Sequence, residues 1–106
     1  MAIQAKTFYQ QIYGFTKQIP RGKVTTYKEL AHALSSKAYR AVGSAMRCNE
    51  NAPIVPCHRV IKSNGDVGNY SAAGSIKKKI EMLRKEGVEV VDGKVDLKKY
   101  LHKFTY

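Results

Sequence analysis

A thiol, an imidazole and a guanidinium stand side by side at Cys57-His58-Arg59, with Pro56 ahead of them and the β-branched pair Val60-Ile61 behind. Cysteine is the strongest side-chain nucleophile at neutral pH, and a neighbouring basic group raises its thiolate fraction. Proline fixes its own φ, so the approach to the thiol is stiff. Successive residues of an extended segment point opposite ways, so His58 need not touch the sulfur and a water can bridge them. An imidazole working as a base needs a third group to orient it. Glu81 and Glu86, on the last long helical segment, are the candidates. The competing reading is the ordinary one, in which Cys57 is a small buried hydrophobe and the glutamates lie on a solvated helix face.

The rest of the chain narrows what such a thiol would attack. The 106 residues carry 19 Lys and Arg against 8 Asp and Glu, a formal net charge of +11. That excess on a small chain favours a polyanion, usually DNA or RNA, over a merely basic soluble protein. A cysteine hydrolase needs no such surface. A soft sulfur nucleophile working on DNA would prefer an alkyl carbon attached to a base. Cys48 and Cys57 form no CxxC pair, and His32, His58 and His102 are scattered. Free thiols, no metal and no cofactor are therefore expected. No stretch approaches the ~20 apolar residues of a membrane helix, and Met1 to Phe8 holds no apolar signal core. The expectation is one cytoplasmic domain over 1–106, with no membrane partner and a monomeric state.

The elements that must position these groups are legible in outline. Phe8, Ile12, Phe15 and Ile19 recur at helical spacing from about Thr7 to Gln18, before Pro20. After Arg21-Gly22 comes the β-branched run Val24-Thr25-Thr26. Thr26 with Glu29 has the spacing of a capping box, opening a helix through Leu34. Ser36 is placed to cap a third helix ending near Cys48, so residues 26–48 read as a helix-turn-helix. Within that third helix Gly43 costs about 1 kcal/mol relative to alanine. The small residues around it suit either tight packing on a neighbouring helix or close approach to an outside surface. Arg40 and Arg47, seven apart, share a face that fits a phosphate backbone. The active-site loop spans about 53–74. Within it Ile54-Val55 and Val60-Ile61 read as short buried strands, and Asn64-Gly65 as a hairpin turn. Gly68 to Gly74 then leads into a long helix with a core stripe of Ile76, Ile80 and Leu83. On that helix Lys77, Lys78 and Lys79 are expected to face solvent or phosphate, and Gly87 to end it. Val88–Val91 and Lys94–Leu97, joined at Asp92-Gly93, read as a hairpin wing; the tail to Tyr106 is uninformative. The fold class expected is mainly α with short strands, a winged helix-turn-helix-like DNA-binding domain.

Pro-Cys-His-Arg-Val, preceded by Arg-Ala-Val-Gly-Ser-Ala-Met-Arg and followed by Gly-Asn-Tyr-Ser, resembles the C-terminal active-site domain of the O6-alkylguanine-DNA alkyltransferases. The similarity runs from about Ile19 to Gly87. It implies that the helix-turn-helix binds duplex DNA containing O6-alkylguanine through the minor groove. Arg40 matches the finger that replaces a flipped guanine. Ala41, Gly43 and Ala45 match the face entering the groove, and Tyr27 the tyrosine that crowds the nucleotide's phosphate. The resemblance further implies that Tyr70 and the backbone of Ser71 donate to the base, while the carbonyls of Cys57 and Val60 accept from its exocyclic amine. Cys57 would then take the alkyl group once, deprotonated through water by His58 and Glu86. Asn49 matches an asparagine joining the helix-turn-helix to the active-site loop. Ala72-Ala73 stands where the family often has Gly-Gly, and aligning Glu86 needs a short insertion after Ser71. Two rivals share the observations. An alkyltransferase-like protein would bind the lesion without reacting, but such proteins usually have tryptophan in place of the cysteine. A winged-helix transcription factor would leave the Pro-Cys-His-Arg segment without purpose.

Overall fold

Apolar side chains one helical turn apart draw the first three helices onto a common core. In the computed structural model, which describes residues 8–49, 54–68 and 76–104, these are α1 (Phe8–Thr16), α2 (Tyr27–Ala33) and α3 (Tyr39–Arg47). Their inner faces, carrying Ile12, Leu30, Ala31, Val42, Ala45 and Met46, enclose one cluster together with Ile19, Cys57 and Val60. Thr26 caps α2 as its spacing predicts, its hydroxyl accepting from Glu29 N–H at 3.1 Å. Ser36 does not cap α3. Ala38 holds that position with no side-chain bond, and the Ser36 hydroxyl accepts from Ala38 N–H at 2.9 Å. The serine shapes the turn before the helix, a common alternative use of a short hydroxyl.

Between α1 and α2 lies β1 (Thr25–Thr26), which pairs in parallel with β2 (Val60–Ile61), Thr25 opposite Val60 and Thr26 opposite Ile61. Alternation along β2 sends Val60 into the helical cluster and Ile61 into a second one with Val24, Val67, Leu83, Val88, Val90, Val95 and Tyr100. The short pair is thus a partition between two cores. Ile54-Val55 is no strand. It forms a turn and bend with Ile54 74% exposed and Val55 buried, because the chain must double back to enter the 3-10 turn at Cys57–Arg59.

The fourth helix, α4 (Ile76–Lys85), ends in a Schellman motif: Val88 N–H reaches Leu83 O and Gly87 N–H reaches Arg84 O, both at 3.0 Å. Gly87 sits at φ +92°, the left-handed position predicted for it. The expected wing is smaller than a hairpin. Asp92 and Gly93, both at positive φ, make a tight turn closed by a single bridge between Val91 and Lys94. Beyond it Lys94 bridges Asp66, Val67 N–H bonds Gly93 O, and Val95 N–H bonds Gly65 O. The segment spends its backbone bonds on the Asn64-Gly65 turn instead of on itself. Leu97 opens a short helix, α5 (Leu97–Tyr100), capped by the Asp96 carboxylate accepting from Lys98 N–H.

The tail carries more than its sequence announces. Leu101 bridges Val24 in parallel, His102 N–H donates to Val24 O at 2.6 Å, and Phe104 is buried edge-on to Phe15 of α1. The architecture is mainly helical with one short parallel strand pair. Among the described residues no helix is long and apolar enough to cross a membrane.

Candidate active site and nucleic-acid interface

Cys57 opens the 3-10 turn, and its setting is held from both sides. Its N–H donates to Val55 O at 2.8 Å, and its own carbonyl accepts from Val60 N–H. Asn49, just past α3 and buried, donates from Nδ2 to the same Val55 oxygen at 2.8 Å. Two donors on one carbonyl tie the end of α3 to the segment that presents the thiol, so Asn49 is a positioning residue. The sulfur-bearing residue is only 4% exposed, and both cysteines are free thiols, Cys48 at the surface.

His58 follows inside the turn, 1% exposed. Its Nε2 lies 3.0 Å from Glu86 Oε2, whereas Glu81 is exposed; of the two candidates, Glu86 is the partner. Arg59 grips the same carboxylate with both tines, Nε to Oε1 at 2.8 Å and Nη2 to Oε2 at 2.7 Å, and donates from Nη1 to Ile19 O. Burial pushes the Glu86 carboxyl up, but hydrogen bonds from Arg59 and His58 outweigh it and hold the group below its usual range. Burial, helped by the charges of Arg59 and Lys79, holds His58 below the ordinary imidazole value despite Glu86. The imidazole is therefore neutral at neutral pH. An ionised carboxylate only accepts, so this neutral ring meets it by donating Nε2–H, which leaves the lone pair on Nδ1. That is the tautomer of a proton acceptor.

Glu86 reaches His58 because of how α4 ends. It occupies the C-cap of the Schellman motif, and Arg21 Nη2 bonds the preceding carbonyl of Lys85 at 3.1 Å. Gly22 passes so close that an added Cβ would stand 3.2 Å from Glu86 O.

The expected faces of α4 need correction. Ile76 is 43% exposed, while Lys79, assigned to solvent, is 1% exposed with its Nζ donating to Val60 O at 2.7 Å. Lys79 and Leu83, four apart, form the inner stripe. Burial lowers the Lys79 ammonium to about 8, the negative charge of Cys57 opposing and Lys62 adding to the fall. Tyr27, the first residue of α2, is half-buried; burial raises its phenol and the charge of Cys57 raises it further. Tyr27 also lines an open cleft of about 550 Å³ with Lys28, Tyr39, Lys62, Ser63 and Asn64. Val60, whose carbonyl was expected to serve a base, is buried in β2.

On α3 the expected outer face holds in part. Arg40 and Arg47 are exposed, with Gly43 between them on the same side. Among the described residues an added Cβ at Gly43 would meet only the Arg47 guanidinium, at 3.9 Å. No neighbouring helix among them demands the glycine, so close packing within the described residues does not account for it. Ala41 is half-buried. Ala45 contradicts the assignment: it is 0% exposed in the inner stripe with Val42 and Met46, and its carbonyl accepts from the Tyr13 hydroxyl at 2.7 Å. Tyr70 and Ser71 lie outside the described residues. Two functional candidates escaped sequence reasoning. Arg59 was legible as a charge beside the thiol but its carboxylate lies 27 residues away, and Lys79 was hidden within a run of three lysines.

Comparison with known proteins places this arrangement in a family. Residues 7–88 match the family model described as 6-O-methylguanine DNA methyltransferase, DNA binding domain. Among curated relatives, the bifunctional methyltransferase/endonuclease of Picrophilus torridus is 42% identical over 92% of this chain, and the methylated-DNA–protein-cysteine methyltransferase of Candida glabrata is 45% identical over 77%. The chain spans only 33% and 39% of their respective lengths. Of solved structures, S. pombe Atl1 in complex with damaged DNA containing O6-carboxymethylguanine superposes with a TM-score of 0.82 at 33% identity, over 96% of this chain and 100% of that one. The O6-methylguanine-DNA methyltransferase of Pyrococcus kodakaraensis gives 0.70 at 41%, over 79% and 48%. With a family model covering most of its length and an imidazole–carboxylate pair beside a cysteine on the matched residues, this chain belongs to the 6-O-methylguanine DNA methyltransferase family.

Proposed function

We propose that this protein binds duplex DNA containing O6-alkylguanine and takes the alkyl group onto Cys57. The observation that carries the reading is the thiol followed by a neutral imidazole whose Nε2–H is fixed on an Arg59-clamped carboxylate. In the transfer the sulfur forms a bond to the alkyl carbon as the carbon–O6 bond breaks. The thiol proton passes to His58 through water, and the bonding pair leaves on guanine. The thioether has no route back to thiol, so each molecule turns over once. A base inside a duplex cannot reach a residue only 4% exposed, so the reading requires extrusion of the nucleotide, which costs a few kcal/mol of stacking. Arg40, exposed on α3, is assigned to fill the vacated stack, and Tyr27, shared between the cleft and the thiol, to hold the extruded nucleotide at its phosphate. Tyr70 and Ser71 are assigned to the base itself. The single domain, its cytoplasmic location and its monomeric state belong to this proposal.

A second reading is favoured by the match with Atl1 along that chain's whole length: lesion binding without transfer, as a flag for other repair. Incubation with a duplex carrying O6-methylguanine, followed by intact and peptide mass measurement, separates the two. Gain of one methyl on the peptide holding Cys57 supports transfer. Tight, lesion-selective binding with no mass change overturns it in favour of the second reading.

A further inference from the structure

The buried ammonium of Lys79 has no part in the proposed transfer, yet it lies at its centre. Lysine is almost never fully buried without a compensating arrangement, because desolvating the charge is costly. Here Nζ donates to Val60 O, and Val60 N–H donates to Cys57 O. The ammonium is thus joined through one peptide unit to the residue that bears the thiol. Helix α4 packs on the 3-10 turn, and the charge reaches that turn from α4. The groups around it are identifiable: Cys57 and His58 from the turn, and Lys62 from the segment after β2. Tyr27 of α2 couples to the same sulfur. Among the described groups, Cys57 favours the protonated amine and Lys62 opposes it.

Resting on the reading of Cys57 as nucleophile, we propose that Lys79 is a positioning residue for that thiol: its ammonium anchors the Val60 carbonyl behind the 3-10 turn and is the counter-cation of the Cys57 thiolate. The interaction is mutual. A thiolate that favours the ammonium is favoured by it to the same degree. The neutral His58 then removes the proton while the Lys79 ammonium holds the charge left behind. Lys62, a second cation near the first, keeps Lys79 from being protonated over a wider range, and the amine discharges above a pH of about 8.

The test reads the thiol without DNA. In a Cys48→Ser background, Cys57 is alkylated with iodoacetamide across pH 5.5–9.5, a range chosen to bracket ~8; sulfur gains the carboxamidomethyl carbon, iodide leaves, and the proton goes to solvent. Lys79→Met is expected to slow the reaction at neutral pH by about tenfold and to move the half-maximal rate to higher pH, with Lys79→Arg restoring most of the rate. Wild-type rate and an unchanged pH profile in folded Lys79→Met overturn the proposal. Should that variant not fold, the Lys79 amine is titrated by NMR in the unsubstituted protein before and after Cys57 is capped with iodoacetamide. A lower midpoint after capping supports the assignment, and an unmoved one overturns it. Because no lesion is involved, failure of methyl transfer from DNA would remove the transferase reading while leaving this result standing.

Discussion

The outward face of α3 and the corner at Cys57 both depend on cations, but they hold them in opposite ways. Arg40 and Arg47 are exposed, Arg47 bonding only to Ser44 Oγ among the contacts described for it. Arg59 and Lys79 are withdrawn from water, each with a hydrogen bond to a backbone carbonyl and Arg59 with a bidentate hold on Glu86. Charges in the first setting act through solvent and are screened within about 8–10 Å at physiological salt. Charges in the second act at short range in a medium that screens little. On the proposed function, the first setting serves affinity for a polyanion and the second the tuning of a nucleophile, and salt distinguishes them.

The predictions follow that division. Cys57→Ser is expected to reduce methyl transfer by a thousandfold or more, on the order seen when a nucleophile is removed, while lesion binding remains; single-turnover mass measurement and a gel-shift titration read the two. Glu86→Gln removes the carboxylate charge that holds the His58 ring and leaves Arg59 without its counter-charge. Transfer should fall about a hundredfold and stability by roughly 2 kcal/mol in denaturant melts. Arg40→Ala is expected to weaken lesion binding by about tenfold, the scale of a lost stacking contact, with iodoacetamide reactivity of Cys57 unchanged. Raising salt from about 50 to 200 mM should weaken DNA binding steeply and leave that reactivity within about twofold. Equal salt dependence of both would erase the comparison.

Acid sharpens it further. His58 sits below its unfolded value of 6.5 and Glu86 below its 4.5, so in both cases the unfolded chain binds the proton first. The stability contributed by these two groups is then full above pH 6.5 and declines as pH falls, first through His58 and then through Glu86. Thermal melts between pH 7.5 and 4 should show the decline, and His58→Gln should remove its upper part. The smallest effect belongs to Gly87→Ala, where an added Cβ meets nothing within 4 Å; the cost is left-handed backbone strain alone, about 1 kcal/mol.

The helices were readable where one residue type forces one local outcome. Thr26 before Glu29 marked the start of α2, Gly87 the end of α4, and apolar residues at helical spacing the inner face of α1. The link from His58 to Glu86 was reachable because an imidazole base requires an orienting carboxylate, which left two candidates on one helix. What misled was the assumption that charge means surface and small size means interface. Lys79 is a cation and yet buried because the Val60 carbonyl awaits its ammonium. Ala45 is small because Tyr13 and the core leave no room, whereas Gly43, two residues earlier, has open space beside it. The wing and the tail were illegible for another reason. Their backbone bonds go to residues distant in sequence, Gly65 and Val24, and nothing local encodes such a pairing.

Lys79 and Glu86 stand seven residues apart, the first inside α4 and the second at its cap. Two turns of helix set them about 10 Å apart along one side, so a single rigid rod delivers one group to the Val60 carbonyl just past the three-residue turn and the other to His58 and Arg59 within it. Inserting or deleting one residue between them would swing one group by about 100° relative to the other, and no side-chain rotation could recover both. The rod's length is therefore a gauge: in this fold the number of residues between that lysine and that glutamate sets where both groups arrive.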